Sequence, residues 1–341
     1  MLDDLLRETM GHLEDEFYQK KMVFSYSSLK QLMWNPAIFY QLYVLGNKEE
    51  KPESHLVQGR LVHCLLLEEE NFDKMFLISP DALPSGNTRQ VVDRVFKHFM
   101  EVHKHDDTRE YLQEFEGAVI DVLKDMNLHQ SLKTDEQRRD KIITPETIAY
   151  WEFLKLKQGK VLISQEDYDY CKGAVELIKQ DKKICQLIGC SVSEFDNVEV
   201  LNETELQMEV VGKPFGIKGI LDNIIIDHDK KEIRINDIKT TSKDLKDFPE
   251  TIEFYSYWLQ AVIYCSLVAM TYEHLINEGY DLKFHFVVID KMFQTYAFPV
   301  SIKTLDSWFE RMQEVLKKAE WHYINKNFTL PYDFATGSVS L

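Results

Sequence analysis

The sequence predicts an α/β protein in which the strands gather in the C-terminal half and an N-terminal half supplies helices. Two observations carry that expectation. From about residue 85 to 200 the pattern is almost entirely helical and rich in charge, with hydroxyl residues at two well-signalled helix starts. Beyond residue 200 the period shifts to alternation broken by short polar turns. At 341 residues the chain exceeds most single cores, so one large domain with an insertion, or two domains, is expected.

Residues 1–22 read as a charged helical lead-in. Ser25-Tyr26-Ser27-Ser28 then place hydroxyls ahead of Leu29, Leu32 and Met33, the signature of a capped helix. Pro36 opens a second helical stretch with Phe39, Tyr40, Leu42 and Tyr43, ending near Gly46, and 47–54 read as a polar loop. A helix over 58–70 carries Leu61, Leu65 and Leu66 on its apolar face. Thr144-Pro145-Glu146 sets a cap before a proline at the first helical position. Ser164, with Asp167 three residues on, is close to a capping box.

After residue 200, 206–211 alternates and Lys213-Pro214 turns the chain. Residues 215–226 are rich in Ile and end at Asp227-His228-Asp229-Lys230, and 232–240 is a third strand of an antiparallel meander. A single long, buried helix is expected over 254–276. Two more strands follow over 283–290 and 295–300, and an amphipathic helix over 301–325 closes the fold. The expected organisation is 1–80 N-terminal helices, 81–200 a helical insert region, 201–325 the core and 326–341 a tail, together one compact domain.

Composition is that of a globular protein, 44% apolar and 28% charged. No apolar run approaches the ~20 residues of a membrane span. Met1-Leu2-Asp3-Asp4 opens with acids instead of a basic, then apolar, signal segment, so a cytoplasmic protein without membrane association is expected. Five cysteines, an odd count without a Cys-x-x-Cys pair, argue against a disulfide framework or a zinc site. The net charge of −17 argues against broad electrostatic capture of nucleic acid. It leaves open a locally basic cleft, or metal ions supplying positive charge where the chemistry occurs.

Asp237 and Lys239 lie two apart on a strand, so both leave one face while Ile238 points into apolar packing. Their neighbours Ile233, Ile235 and Ile238 make two charges there costly without a purpose. Asp222, fifteen residues earlier in Gly219-Ile220-Leu221-Asp222, reaches the same face if the hairpin folds back. Two carboxylates form a hard oxygen site suited to Mg²⁺ or Mn²⁺. Gly59 and His63 are one helical turn apart: the glycine permits close approach of another backbone, and the imidazole can complete a metal shell. Gln260 and Tyr264, also one turn apart, carry polar tips on an apolar helix. Each of these taken alone has a plainer reading, as a surface ion pair, a boundary histidine or a locally satisfied core pair. Glu205 is a further carboxylate, read as an exposed strand residue.

In order, Gly-x-x-x-His, Gly-x-x-Asp, Asp-x-Lys and Gln-x-x-x-Tyr resemble the RecB-type branch of the PD-(D/E)xK nuclease superfamily. The chain is most similar there to the RecE-like (exodeoxyribonuclease VIII-like) phage exonucleases. Ser25–Lys30 with Asn35-Pro36 and Phe39, Gly59–Glu68 and Gly159–Tyr168 fit the same family, so the resemblance spans most of 24–320. It implies a restriction-endonuclease-like core, a mixed central sheet flanked by helices, with a large helical N-terminal and insert region. It implies that His63, Asp222 and Asp237 bind Mg²⁺ (or Mn²⁺) with the Ile238 carbonyl. Lys239 then orients the water or steadies the phosphate, and Gln260 and Tyr264 support the site or contact DNA. The family digests double-stranded DNA from ends, 5′→3′, in phage or mobile-element recombination. Its members can form homo-oligomeric rings and work beside a RecT-type single-strand annealing protein. The readings that compete with this one are an endonuclease or single-strand nuclease of the same superfamily, and a non-catalytic DNA-binding or assembly protein keeping the fold. The sequence departs from the family in three places. The region 100–150 is longer and more charged, no proline precedes Asp222, and no cysteine follows Cys265, so no iron–sulfur cluster is expected.

Overall fold

The computed structural model describes residues 17–47, 54–80, 82–84, 86–102, 110–193 and 196–339. The expected lead-in falls outside these as far as residue 16, and the polar loop falls outside them over 48–53. The chain forms two units. One contains the chain up to Glu69 and from Cys171 onward, and the other is Glu70–Tyr170.

The first unit is a mixed sheet with helices. In chain order its main elements are β1 (Val23–Ser25), α1 (Tyr26–Trp34), α2 (Ser54–Leu67), α3 (Lys182–Ile188), β2 (Val198–Glu209), β3 (Gly216–Asp227), β4 (Glu232–Thr241), α4 (Phe248–Phe254), α5 (Tyr257–Thr271), β5 (Asp281–Asp290), β6 (Thr295–Val300) and α6 (Ile302–Asn325). The meander β2–β3–β4 is antiparallel; β5 runs parallel to β4, β6 antiparallel to β5, and β1 parallel to β3. The cap read from the sequence at Ser25 is in place, accepting from Ser28 N at the start of α1; Ser301 likewise accepts from Thr304 N at the start of α6.

The pairing of β3 positions the polar centre. β2 lies along one edge of β3, from Gly216 to Asp227. The opposite edge is shared: β1 pairs with Gly216–Lys218, and β4 pairs only with Asn223–Asp227. Gly219 to Asp222 therefore face a fork between β1 and β4. Beyond Asn236, β4 leaves β3 but stays paired with β5 as far as Thr241.

Alternation along β4 assigns the two faces of the sheet. Ile233 and Ile235 join the apolar core with Leu259, Ile263, Leu267 and Val268 of α5. Asn236 points the other way and donates to Leu187 O of α3, and Thr240 meets Gly59 of α2. α5 thus covers one face, and α2 and α3 the other.

The second unit contains the helices Gly86–Val102, Glu116–Asp125, Asp135–Ile142 and Pro145–Leu156, with Phe76–Ile78 pairing in parallel with Val161–Ile163. Its core centres on Trp151, fully buried among Phe96, Phe99 and Phe115, with its indole N–H donating to Glu110 O at 2.8 Å.

Three local expectations are corrected. Residues 254–276 form no single helix: α4 stops at Phe254, Ser256 takes a left-handed φ of 59°, α5 restarts at Tyr257, and a short helix follows at Glu273–Asn277. No glycine or proline marks the break, and the apolar pattern runs straight through it. β2 begins at Val198, eight residues before the alternation at 206. The left-handed Glu203, φ 44°, interrupts the period, which hides the first half of the strand. The short strands Phe76–Ile78 and Val161–Ile163 interrupt a stretch that reads as helix, and three residues are too few to show a period.

Candidate metal centre

The fork is where polar side chains replace strand pairing. Asp222 and Asp237 continue the β3–β4 register by one step past Asn223↔Asn236, but the ladder has ended there. The Ile238 N–H instead donates to Asp222 Oδ2 at 2.6 Å, and the Ile238 carbonyl accepts from His63 Nε2 at 3.0 Å. Both backbone groups of one residue are thus served by two of the predicted site residues.

His63 reaches the fork from α2, whose approach to β4 depends on Gly59. A methyl group at Gly59 would sit 3.1 Å from Thr240 Oγ1, so the close neighbour is a side chain and not the backbone expected. His63 Nδ1 lies 3.4 Å from Glu203 Oε1 and 3.8 Å from Asp222 Oδ1. Burial works against its protonated form, but the Asp222 and Glu203 carboxylates outweigh it and push His63 up to about 9.

Asp237 is completely buried, and its Oδ2 lies 2.6 Å from Lys239 Nζ. Its Oδ1 accepts no hydrogen bond among the described residues. Burial, opposed by the Lys239 ammonium and reinforced by the Asp222 charge, holds this carboxyl up at about 6. Burial would depress Lys239, yet Asp237 and Asp222 hold it above its ordinary value, so the ammonium is retained. Its Nζ also sits 5.0 Å from the centre of the Tyr257 ring. Ile238, between them, is buried on the opposite face as expected.

Gln260 and Tyr264 project from α5 and bond to each other. Gln260 Nε2 donates to Tyr264 Oη at 3.0 Å, and Tyr264 Oη donates to Ile220 O at 2.6 Å. Gly219 makes room for that ring: a methyl there would lie 2.6 Å from Tyr264 Cε1. The pair therefore holds the unpaired edge of β3, and burial raises the Tyr264 phenol well above its ordinary value, keeping it a hydrogen-bond donor.

Two features were not found from the sequence. Glu203 falls opposite Asp222, because Asn202 pairs with Asn223 and Thr204 with Leu221. Reading the β2 alternation back across the kink would have found it; Glu205 pairs with Ile220 and is exposed. The second is a buried asparagine ladder. Asn236 donates to Asn223 at 2.7 Å and Asn223 to Asn202 at 2.8 Å. The same amides also donate to Leu187 O, Ile188 O and Leu67 O at helix C-termini. The ladder ties α2 and α3 to three strands one residue from Asp222 and Asp237.

The donor set fits a divalent cation. One ligand atom each from His63, Glu203 and Asp222 lie within 4.8 Å of one another. Asp237, with an unpaired buried oxygen, and the Ile238 carbonyl border the same fork. Three carboxylates face one ammonium and, before a metal binds, one protonated imidazole; negative charge remains in excess for a hard cation to neutralise, and oxygen donors with one imidazole suit such an ion. Four basic side chains in or beside the meander divide: Lys213 pairs with Glu320 and Lys246 with Asp244, whereas Lys218 and Lys243 have no ion-pair partner among the described residues.

A mixed sheet flanked by helices, with an acidic centre where two strands part, defines an α/β protein with a candidate divalent-cation site. The sequence matches the PD-(D/E)XK nuclease superfamily over residues 23–328, and the chain belongs to that superfamily. No curated protein matches the sequence. Among solved structures, a protein from Eubacterium rectale provisionally named an exonuclease is 13% identical, with 86% of this chain and 81% of that one covered and a TM-score of 0.41. A second, SSO0001, is 14% identical, with 68% and 87% covered and a TM-score of 0.22. No helix among the described residues is long and apolar enough to cross a membrane.

Proposed function

We propose that the protein is a Mg²⁺-dependent DNA exonuclease of the RecE-like type, digesting double-stranded DNA from its ends, 5′→3′, in phage or mobile-element recombination. Membership of the nuclease superfamily supports the hydrolytic part of this reading. The ordered motifs from His63 to Tyr264 support the RecE-like part. The observation that carries it is the convergence of His63, Glu203 and Asp222 beside the Asp237–Lys239 pair. Work beside a RecT-type annealing protein, as a ring-forming homo-oligomer in the cytoplasm, belongs to the same reading.

Asp222, Glu203 and His63 would hold the cation, with Asp237 and the Ile238 carbonyl at its side. When bound, the ion supplies charge stabilisation for the phosphodiester and lowers the pKa of water. Lys239 presents a retained ammonium at the buried carboxylate, where it can steady a phosphate oxygen or orient a water. Asp222 has a second task, because it also holds the Ile238 N–H and so sets the strand spacing at the fork. Gln260 and Tyr264 fix the Ile220 carbonyl, which keeps β3 from closing onto β4.

The test is release of nucleotides from end-labelled linear duplex with Mg²⁺, alongside closed-circular duplex and the Lys239→Ala protein. Digestion of the linear form alone, lost in the variant, is expected. Cleavage of the closed circle would mark an endonuclease instead. DNA binding without hydrolysis, unchanged in Asp237→Ala, would mark a non-catalytic binding protein.

A further inference from the structure

The break at Ser256 has a second consequence. In a continuous helix, residues two apart diverge. Here the left-handed Ser256 folds the chain so that the rings of Tyr255 and Tyr257 stack at 5.5 Å and 29°. Phe254 packs edge-on to Tyr255 at 4.9 Å, and Tyr26 of α1 lies 6.4 Å from Tyr257 with its hydroxyl donating to Tyr255 O. A non-glycine residue in this conformation carries backbone strain of a kind found at functional sites.

The row begins at Lys239, 5.0 Å from the Tyr257 ring, and ends in the open. Tyr255 is 38% exposed, Phe254 75% and Trp34 73%. These last three line one cavity of about 700 Å³ with Lys30, Trp258 and Tyr332. Two lysines stand over the rings: Lys30 Nζ is 5.1 Å from the Tyr255 ring and Lys243 Nζ 5.8 Å from the Phe254 ring. Neither has an ion-pair partner among the described residues, whereas Lys318 pairs with Asp333 and Arg311 with Glu253.

We propose that this aromatic row and its cavity are a stacking platform for the bases of a single DNA strand whose backbone leads to Lys239. The inference rests on reading the centre as a DNA nuclease, and it names how that substrate is held. Stacking fits a chain of net charge −17, because each base offers a π face whatever the surrounding charge. The occupant is an unpaired strand, since base faces inside a duplex are already stacked. Lys30 and Lys243 are placed to meet the phosphates between stacked bases.

The test is fluorescence anisotropy of a fluorescein-labelled ten-nucleotide oligo-dT in EDTA, which prevents cleavage. Phe254→Ala and Trp34→Ala, both at exposed positions, are each expected to weaken binding about tenfold. Phe254→Tyr should stay within twofold of the wild type, and Phe254→Leu should lose as much as the alanine variant. Two phosphate contacts predict a log–log salt slope of about −1.4, from ~0.7 per phosphate on single strands. Alanine variants within twofold of the wild type would overturn the platform. So would full affinity in Phe254→Leu, which would mark an apolar patch for another protein. Nucleotide release from linear duplex, measured on the same wild-type preparation, reports separately on the nuclease reading; its failure leaves the anisotropy result to decide the platform.

Discussion

The two ends of the β3–β4 hairpin are built on opposite principles. At the closed end Ile224, Ile226, Ile233 and Ile235 are at most 1% exposed, and every residue from Asn223↔Asn236 to Asp227↔Glu232 is in register. At the open end the register would continue with Asp222 opposite Asp237, but side chains take over the backbone partners. The closed end stabilises through burial, which tolerates any apolar side chain of suitable volume. The open end holds three carboxylates, an imidazole and an ammonium near one another, which costs stability unless a cation joins them. The centre thus lies where the sheet stops pairing, and burial at the closed end offsets what the opening costs.

The largest effect separates the two tasks of Asp222. Asp222→Asn keeps an acceptor for the Ile238 N–H but removes a charge, so hydrolysis should fall by about 10²–10³-fold with little change in melting temperature. Asp222→Ala should show the same loss and a further destabilisation of about 1–3 kcal/mol, because the Ile238 N–H is left buried without a partner. Full activity in Asp222→Asn would show that the open end is not the reactive end.

The pH dependence of metal binding comes next. In the metal-free protein His63 is held at about 9, above its ordinary value, so it is protonated at pH 7. Ligation needs a neutral ring, so binding of Mg²⁺ or Mn²⁺ should release about one proton at pH 7. Affinity should rise about tenfold per pH unit towards 9 and then level off. Calorimetry in two buffers of different ionisation enthalpy measures the released proton, and His63→Gln should abolish the difference between them.

Gly219→Ala probes the far wall of the fork. The methyl would meet the Tyr264 ring at 2.6 Å and displace it from Ile220 O, an overpacking cost of about 1–3 kcal/mol in chemical denaturation. The smallest effect belongs to the closed end: Ile226→Val should cost about 0.5–1.5 kcal/mol and leave hydrolysis unchanged. A drop in activity there would mean that the two ends are coupled more tightly than the pairing indicates.

Residues whose role is local were readable in advance. Asp237 and Lys239 share a face by the two-residue period of a strand, and they form the ion pair that period implies. The caps at Ser25, Thr144 and Ser164 needed only the residue and the few that follow. Glu203 was hidden because its left-handed backbone breaks the alternation that would have revealed it. The asparagine ladder was hidden because Asn202, Asn223 and Asn236 acquire meaning only once three strands and two helix ends meet. Ser256 gave no signal, since neither glycine nor proline stands at the break and the ring stacking across it exists only in the folded chain.

By itself the sequence determined the α/β class, the meander after residue 200, the Asp-x-Lys strand and the order of motifs, all of which depend on short-range periodicity and residue chemistry. Tertiary structure decided which carboxylates share the centre, where the sheet forks, and that one long apolar stretch bends into an aromatic row. Those outcomes depend on register between strands and on packing across the sheet, and no local pattern encodes the distance between His63, Glu203 and Asp222.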